Sequence, residues 1–272
     1  MLPNLFVIGA MKCGTSSIHE YLNLHPEIYM SEKKELDFFV EEMNWGKGID
    51  WYKKQFPRAS KILGESSTNY TKYPLLRNVA QKIYEHCPDA KIIYLVRDPY
   101  KRIISHYIHN VSEGTENRSL ENKLSDGDGI HYINTSKYRM QLQQYLKYFN
   151  EDQIHIIQYE RLISDPFNVM RKVFRFLGVD DNFSSQHFID IHHSSFGKTM
   201  PTEISKYLRK YRVNRVIRKI MPSFIEKPII TPQLTSSLKE KFYQLLIEDI
   251  SEFRKYTGWP LMEWIIFHDT EK

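Results

Sequence analysis

Residues Ile8-Gly9-Ala10-Met11-Lys12-Cys13-Gly14-Thr15-Ser16-Ser17 stand between an apolar run, Leu5 to Ile8, and a segment in which Ile18, Tyr21 and Leu22 recur at helical spacing. The stretch reads as a glycine-bounded loop joining a buried strand to the start of a helix. Such a junction turns backbone N–H groups and the positive end of a helix dipole toward one point, which suits a phosphate or sulfate group. Gly9 and Gly14 keep the spacing of the triphosphate loop GxxxxGK[ST], but Thr15 occupies the place of its lysine. The lysine stands inside the loop instead, at Lys12. There it is suited to the bridging oxygen of a leaving group rather than to spanning two terminal phosphates, which argues against an ordinary ATPase or P-loop kinase.

A second segment, Lys91-Ile92-Ile93-Tyr94-Leu95-Val96-Arg97-Asp98-Pro99-Tyr100-Lys101-Arg102-Ile103-Ile104-Ser105-His106-Tyr107, repeats the order strand, turn, helix. Arg97 falls at the strand's end and Pro99 suits a first helical turn. Ser105 follows Arg97 by about two helical turns. Arg97 can therefore grip an anion bidentately while Ser105 offers a hydroxyl to the same group.

Together the two segments resemble the sulfotransferases that use 3′-phosphoadenosine 5′-phosphosulfate, with the heparan-sulfate-type branch and its bacterial relatives the most similar in motif order. Lys34-Glu35-Leu36-Asp37-Phe38-Phe39, Gly64-Glu65-Ser66-Ser67-Thr68-Asn69-Tyr70 and Asp165-Pro166 leading to Phe176-Leu177-Gly178 extend the resemblance over most of the chain. The resemblance implies that the loop with Lys12, Cys13, Gly14, Thr15 and Ser16 holds the 5′-phosphosulfate, and that Arg97 and Ser105 hold the 3′-phosphate. Gly197-Lys198-Thr199-Met200-Pro201 looks like a late G[KR]xxP loop, which assigns Lys198 to phosphate as well. Lys12 and Glu35 become the catalytic pair, Lys12 stabilising the leaving group and Glu35 acting as base. His106, His109 and His131 are rival bases, as in the branch acting on small molecules.

Two departures bear on the acceptor. Asp37 stands where animal heparan-type enzymes often carry histidine, and Glu65-Ser66 replaces a common Glu-Lys, removing a cation that faces the acceptor or the transferred sulfuryl. Asp37, Ser66 and Tyr138 are the expected acceptor-side residues, with 37–52, 66–73 and 112–131 as the regions around the acceptor. A sugar hydroxyl or amine is the acceptor implied by the branch, with a small lipid or polyketide-type alcohol as the alternative.

The rest of the chain gives the frame. Its 272 residues, 41% hydrophobic, suffice for one large core, so one domain over 1–272 is expected. Strands are expected at 5–8, 61–64, 92–96 and 154–158, and helices at 17–24, 74–85, 100–111, 137–149, 166–177 and 235–256. This βα alternation predicts a P-loop-containing three-layer α/β/α fold around a mostly parallel sheet, with ligands beyond the carboxyl ends of the strands. Residues 113–133 read as a lid or acceptor loop and 183–232, with its basic run 206–219, as an irregular cofactor-covering segment.

The formal charge of +5 suits an anionic donor but decides nothing alone, and no nucleic-acid partner is expected. Two cysteines, Cys13 and Cys87, imply no disulfide framework and point to a reducing compartment. Cys13 reads as a packing residue rather than a reactive thiol. No run approaches a membrane span, and the start of the chain carries no anchor or leader pattern. A bacterial cytoplasmic enzyme is thus expected, with a Golgi-lumenal catalytic fragment as the alternative. No metal-ligand spacing occurs, and the adjacent His192-His193 point apart. A P-loop kinase and a noncatalytic module binding adenosine 3′,5′-bisphosphate are the competing classes.

Overall fold

A computed structural model describes residues 1–190, 199–201 and 226–268. Lys198, His192, His193, the run 206–219 and most of 183–232 lie outside the described residues.

Five parallel strands form the central sheet: β1 (Leu5–Gly9), β2 (Ile28–Met30), β3 (Ile62–Ser66), β4 (Lys91–Val96) and β5 (Ile154–Gln158), in the order β2-β3-β1-β4-β5. Every residue of β1 and β3 is buried, as is all of β4 but Lys91. Strands covered on both faces read as unbroken apolar runs, which is how β1 and β4 stand out in the sequence. At the edges, β2 has three residues and β5 is half-exposed over its first three.

Helix α1 (Thr15–Asn23) leads from β1 toward β2, while α2 (Ile49–Lys53) and α3 (Val79–His86) lie on the return through β3 to β4. The first crossover runs one way along the sheet and the return runs the other. With right-handed connections their helices therefore cover opposite faces. The expected α/β architecture with a mostly parallel sheet is the one observed.

Past β4 come α4 (Pro99–Ser112), α5 (Leu120–Ser125), α6 (Ile130–Asn134) and α7 (Tyr138–Leu146). After β5 follow α8 (Tyr159–Ser164), α9 (Pro166–Leu177), α10 (Ser236–Thr257) and α11 (Ile265–His268). Residues Thr199–Pro201 and Glu226–Pro228 pair as a two-stranded antiparallel ribbon.

The differences from the sequence expectation have local causes. Helix α1 starts two residues early because Gly14, with φ of 90°, swings the chain directly into it. The helix expected from Pro74 begins at Val79, after Asn78 adopts the left-handed conformation. Residues 113–133, expected as a lid or acceptor loop, contain α5 and most of α6. Glu116 organises that stretch, accepting the amides of Asn117 (2.9 Å) and Arg118 (3.0 Å) and pairing with Lys123 at 3.0 Å.

Helix α10 reaches back to the sheet's carboxyl end. Asp249 accepts the amides of Arg139 (3.0 Å) and Met140 (2.8 Å), capping α7, whose first residue is Tyr138. Burial holds the Asp249 carboxyl up at about 6.

Candidate active site

The loop between β1 and α1 is shaped by close contact at both of its glycines. A Cβ on Gly9 would fall 2.1 Å from Thr71 Oγ1, and one on Gly14 would fall 2.9 Å from the Tyr159 ring. Between them Lys12 takes φ of 73°, and Gly14 takes 90°. Positive φ at Lys12 and Gly14, two residues apart, is the spacing of an anion nest, in which alternating backbone hands turn amides to one side. The Cys13 amide donates to the Ala10 carbonyl at 3.1 Å, and its side chain is fully buried. Burial pushes the thiol up to about 12, so it packs rather than reacts.

Arg97 closes the loop from the β4 side. One guanidinium nitrogen donates to the Lys12 carbonyl at 3.3 Å, and the group lies 4.6 Å over the Tyr159 ring. Its Nε is buried with no partner among the described residues, an orphaned donor beside the nest. A buried unsatisfied donor costs about 1–3 kcal/mol unless a ligand takes it up. Nest and orphan together fit an anionic ligand carrying more than one charged group. Ser105 is buried on α4, on the same strand–helix unit as Arg97.

Asp98 has a structural task. One oxygen accepts the Lys101 amide at 2.9 Å, capping α4, and the other accepts the Ile265 amide at 2.6 Å. Arg102, fully buried, donates to the carbonyls of Met11 (3.4 Å) and Tyr132, to Ser136 Oγ, and to His106 Nδ1 at 3.1 Å. Sequence reasoning passed Arg102 over, although a loop carbonyl rests on it. The same contact leaves Nδ1 of His106 acting as acceptor, and burial plus Arg102 drives that imidazole well below its ordinary pKa. A neutral, enclosed ring so engaged is a poor base, which weakens the histidine alternative at that position.

Glu35 and Asp37 approach from the β2 side on a turn where both take positive φ, 57° and 47°. Non-glycine residues held there twice in three positions require a surrounding structure that fixes them. The Glu35 amide donates to the Ser66 carbonyl at 2.8 Å, and one carboxylate oxygen accepts from Thr68 N (2.6 Å) and Thr68 Oγ1 (3.1 Å). The other oxygen meets Lys34 Nζ at 2.6 Å, and that ammonium also reaches Thr15 Oγ1 at 3.3 Å. Lys34 thus ties the carboxylate to the first residue of α1.

Asp37 accepts from Asn69 at 2.9 Å through one oxygen, while the other is buried without a partner among the described residues. Burial, with the nearby Glu35 charge, raises its carboxyl to about 6. Of the expected acceptor-side residues, Asp37 is the one that keeps an unused polar atom.

The other two are turned elsewhere. Ser66 is fully buried and hydrogen-bonded to His19 Nδ1 at 2.8 Å, because β3 is covered on both faces. Tyr138 is also fully buried, and its hydroxyl donates to the Arg97 carbonyl at 2.6 Å. It positions Arg97 rather than presenting a surface to an acceptor. Beneath the carboxylates lies a network invisible in the sequence: Glu65 accepts hydroxyls from Tyr52, Tyr70 (2.8 Å) and Ser67 (2.8 Å), and burial raises it to about 7.

The loop at β1, Arg97 at β4 and the acidic turn bonded to β3 all meet at the carboxyl end of the sheet. The arrangement brings together a turn with positive-φ residues, a guanidinium with an unused donor among the described residues and two carboxylates, a setting suited to an anion.

The sequence pattern of the sulfotransferase domain matches residues 2–253. The chain is 33% identical over 196 residues to heparan sulfate glucosamine 3-O-sulfotransferase 5 of Homo sapiens, an alignment covering 67% of this chain and 55% of that protein. Against heparan sulfate glucosamine 3-O-sulfotransferase 3B1 of Mus musculus the identity is 31% over 195 residues, covering 69% and 49%. The chain therefore spans about half the length of the curated relatives it matches. Among solved structures, a sulfotransferase from Alicyclobacillus acidocaldarius superposes with a TM-score of 0.73 at 26% identity, covering 97% of this chain and 99% of that one. The sulfotransferase domain from the curacin biosynthetic pathway, at 15% identity and a TM-score of 0.50 over 90% and 98%, shares the fold.

Proposed function

The chain belongs to the sulfotransferase family of enzymes, and from that premise we propose that it moves a sulfuryl group from 3′-phosphoadenosine 5′-phosphosulfate to a hydroxyl or amine, with a carbohydrate as acceptor. The observation that carries the donor assignment is the pairing of Lys12, inside the nest, with Arg97, whose guanidinium crosses to the Lys12 carbonyl while its Nε has no partner among the described residues. A nucleotide phosphorylated at both 3′ and 5′ positions supplies one anion for each.

In this reading the 5′-phosphosulfate rests on the loop from Lys12 to Ser16, in which the Cys13 amide serves the turn itself, and the 3′-phosphate on Arg97 and Ser105. The donor supplies an activated sulfuryl group, whose bond to the bridging oxygen breaks as a bond from the acceptor oxygen or nitrogen to sulfur forms. Lys12 stabilises the charge left on the bridging oxygen, and Glu35 takes the acceptor's proton. Thr68 and Lys34 fix the Glu35 carboxylate, and Asp37 offers its unpartnered oxygen to a donor group on the acceptor. The kinship with heparan sulfate glucosamine sulfotransferases favours a sugar acceptor. We place residues 1–272 in one catalytic domain, with 113–133 beside the acceptor; most of 183–232 lies outside the described residues. No described helix is long and apolar enough to cross a membrane. On the likeness to a sulfotransferase of Alicyclobacillus acidocaldarius we propose a cytoplasmic enzyme, with a Golgi-lumenal catalytic fragment as the alternative, and a transfer that Lys12 serves in place of a metal.

A kinase would need a strand-end carboxylate for magnesium, and Asp98 has both oxygens committed to backbone amides. Titration calorimetry with adenosine 3′,5′-bisphosphate, and separately with ADP plus magnesium, tests the donor class. Binding of the bisphosphate that collapses in Arg97→Ala upholds the assignment. Preference for ADP with magnesium would overturn it. Turnover with labelled donor across sugars and lipid or polyketide-type alcohols then separates an enzyme from a mere nucleotide-binding module and identifies the acceptor.

A further inference from the structure

The end of β3 reads Glu65-Ser66, and the Ser66 hydroxyl is hydrogen-bonded to His19, so position 66 brings no positive charge to the site. Another residue of the same passage does. The 3-10 turn Thr68–Thr71 that follows β3 is pinned at both ends. Thr68 donates its amide and hydroxyl to Glu35, while Thr71 donates to the Ile8 carbonyl at 3.2 Å and lies against Gly9 so closely that no Cβ fits between them. One end of the turn therefore touches the acidic turn, and the other touches the root of the anion loop.

Lys72 is the residue that ends this 3-10 turn. It is half-buried, and the charged groups whose fields act on it are the carboxylates of Asp37 and Glu35 and the guanidinium of Arg102. The imidazoles of His106 and His131 feel its charge in turn. Lys34, the other ammonium at this place, is occupied by Glu35 at 2.6 Å. Among the described residues Lys72 closes no comparable ion pair: Asp37 turns to Asn69, and Glu35 turns to Thr68 and Lys34.

We propose that Lys72 is a second sulfuryl-binding cation, which the pinned turn sets between the anion loop and the Glu35–Asp37 pair to hold the non-bridging oxygens of the group in transfer. It supplies from position 72 the positive charge that Ser66 leaves out. The loop side carries Lys12 for the leaving oxygen, and the acceptor side carries Lys72. A donor preorganised on that side acts where charge is shared between the departing and arriving atoms. Burial lowers the Lys72 ammonium from its ordinary value, and the carboxylates of Asp37 and Glu35 oppose that shift.

This inference rests on the reading of the donor as 3′-phosphoadenosine 5′-phosphosulfate. Its test compares that compound with adenosine 3′,5′-bisphosphate, which lacks only the sulfuryl group, by calorimetry on the wild type, Lys72→Met and Lys72→Arg. Lys72→Met is expected to weaken the phosphosulfate by about ten- to hundredfold and to leave the bisphosphate within about twofold, with Lys72→Arg recovering most of the loss. Unchanged phosphosulfate affinity in Lys72→Met overturns the assignment, as does an equal loss for both ligands, which would mark Lys72 as a support for the loop. If the wild type binds neither ligand, the donor assignment itself fails and takes this inference with it.

Discussion

Tyr138 and Arg97 are fastened together through the backbone: the buried phenol donates to the Arg97 carbonyl at 2.6 Å and its oxygen lies 3.4 Å from the Arg97 amide nitrogen. Arg97 thus owes its placement to α7, and α7 owes its N-terminal cap to Asp249 on α10. Tyr138→Phe removes the hydrogen bonds to both the Arg97 carbonyl and the Arg97 amide and should cost about 1–2 kcal/mol in urea denaturation, most of it from the shorter bond. Because the lost bonds also aim Arg97, the variant should bind adenosine 3′,5′-bisphosphate about tenfold more weakly by calorimetry, against about a hundredfold for Arg97→Ala. Full affinity in a destabilised Tyr138→Phe protein would reduce Tyr138 to a packing residue.

Lys12 holds a left-handed backbone as well as an ammonium, so its substitution must separate the two. Glycine keeps positive φ without steric cost, whereas alanine adds strain. Lys12→Gly should therefore retain the loop and lose about two to three decades of kcat in acceptor turnover. A Lys12→Gly enzyme within a few-fold of wild type would show that the leaving oxygen is stabilised elsewhere.

Glu35 is fixed through both oxygens, and Gln at this position can still accept the Thr68 amide through its carbonyl. The expected outcome for Glu35→Gln is a fall in kcat of about 10²–10⁴ with bisphosphate affinity preserved, since a base and not a nucleotide contact has been removed. His106→Asn, probed in parallel, should leave the pH profile of kcat in place, because His106 Nδ1 is committed to Arg102. A pH profile that moves with His106 and not with Glu35 would reverse the assignment of the base.

What could be read from the sequence is what local chemistry dictates. The β1 loop, the Arg97 segment and helices α4, α9 and α10 announce themselves through apolar periods, glycines and caps spaced within a dozen residues. Asp98 before Pro99 and Asp165 before Pro166 both prove to be helix caps. Side-chain direction was hidden, because it depends on which faces of the sheet are covered. Ser66 and Tyr138 lie near the expected pocket in sequence, yet one points to His19 and the other to a backbone carbonyl. Strand β2 is three residues long, too short to show a period, and α5 and α6 have only a few residues each. The Glu65 network was illegible for a further reason: Tyr52 meets Glu65 only because an aromatic cluster with Phe38 and Phe39 folds α2 beneath the acidic turn.

That network gives the site a stability signature in pH. Glu65 is fully buried among three hydroxyl donors, and its carboxyl is raised from 4.5 to about 7, mainly by burial, with the nearby Asp37 charge acting in the same direction. A folded-state pKa above the unfolded one means that the native protein holds a proton the unfolded chain releases. The contribution is therefore whole below pH 4.5, declines as pH rises, and is gone above about 7. The interval corresponds to about 3 kcal/mol. Gln at this position mimics the protonated acid, its amide donating to Ser67 while its carbonyl accepts from the two tyrosines. Glu65→Gln should thus lack this decline and should gain on the wild type as pH climbs from 5 to 8, measured by urea denaturation at each pH. Parallel curves for the two proteins would mean that Glu65 is ionised in the native state, and would place the negative charge of the network permanently beneath Asp37.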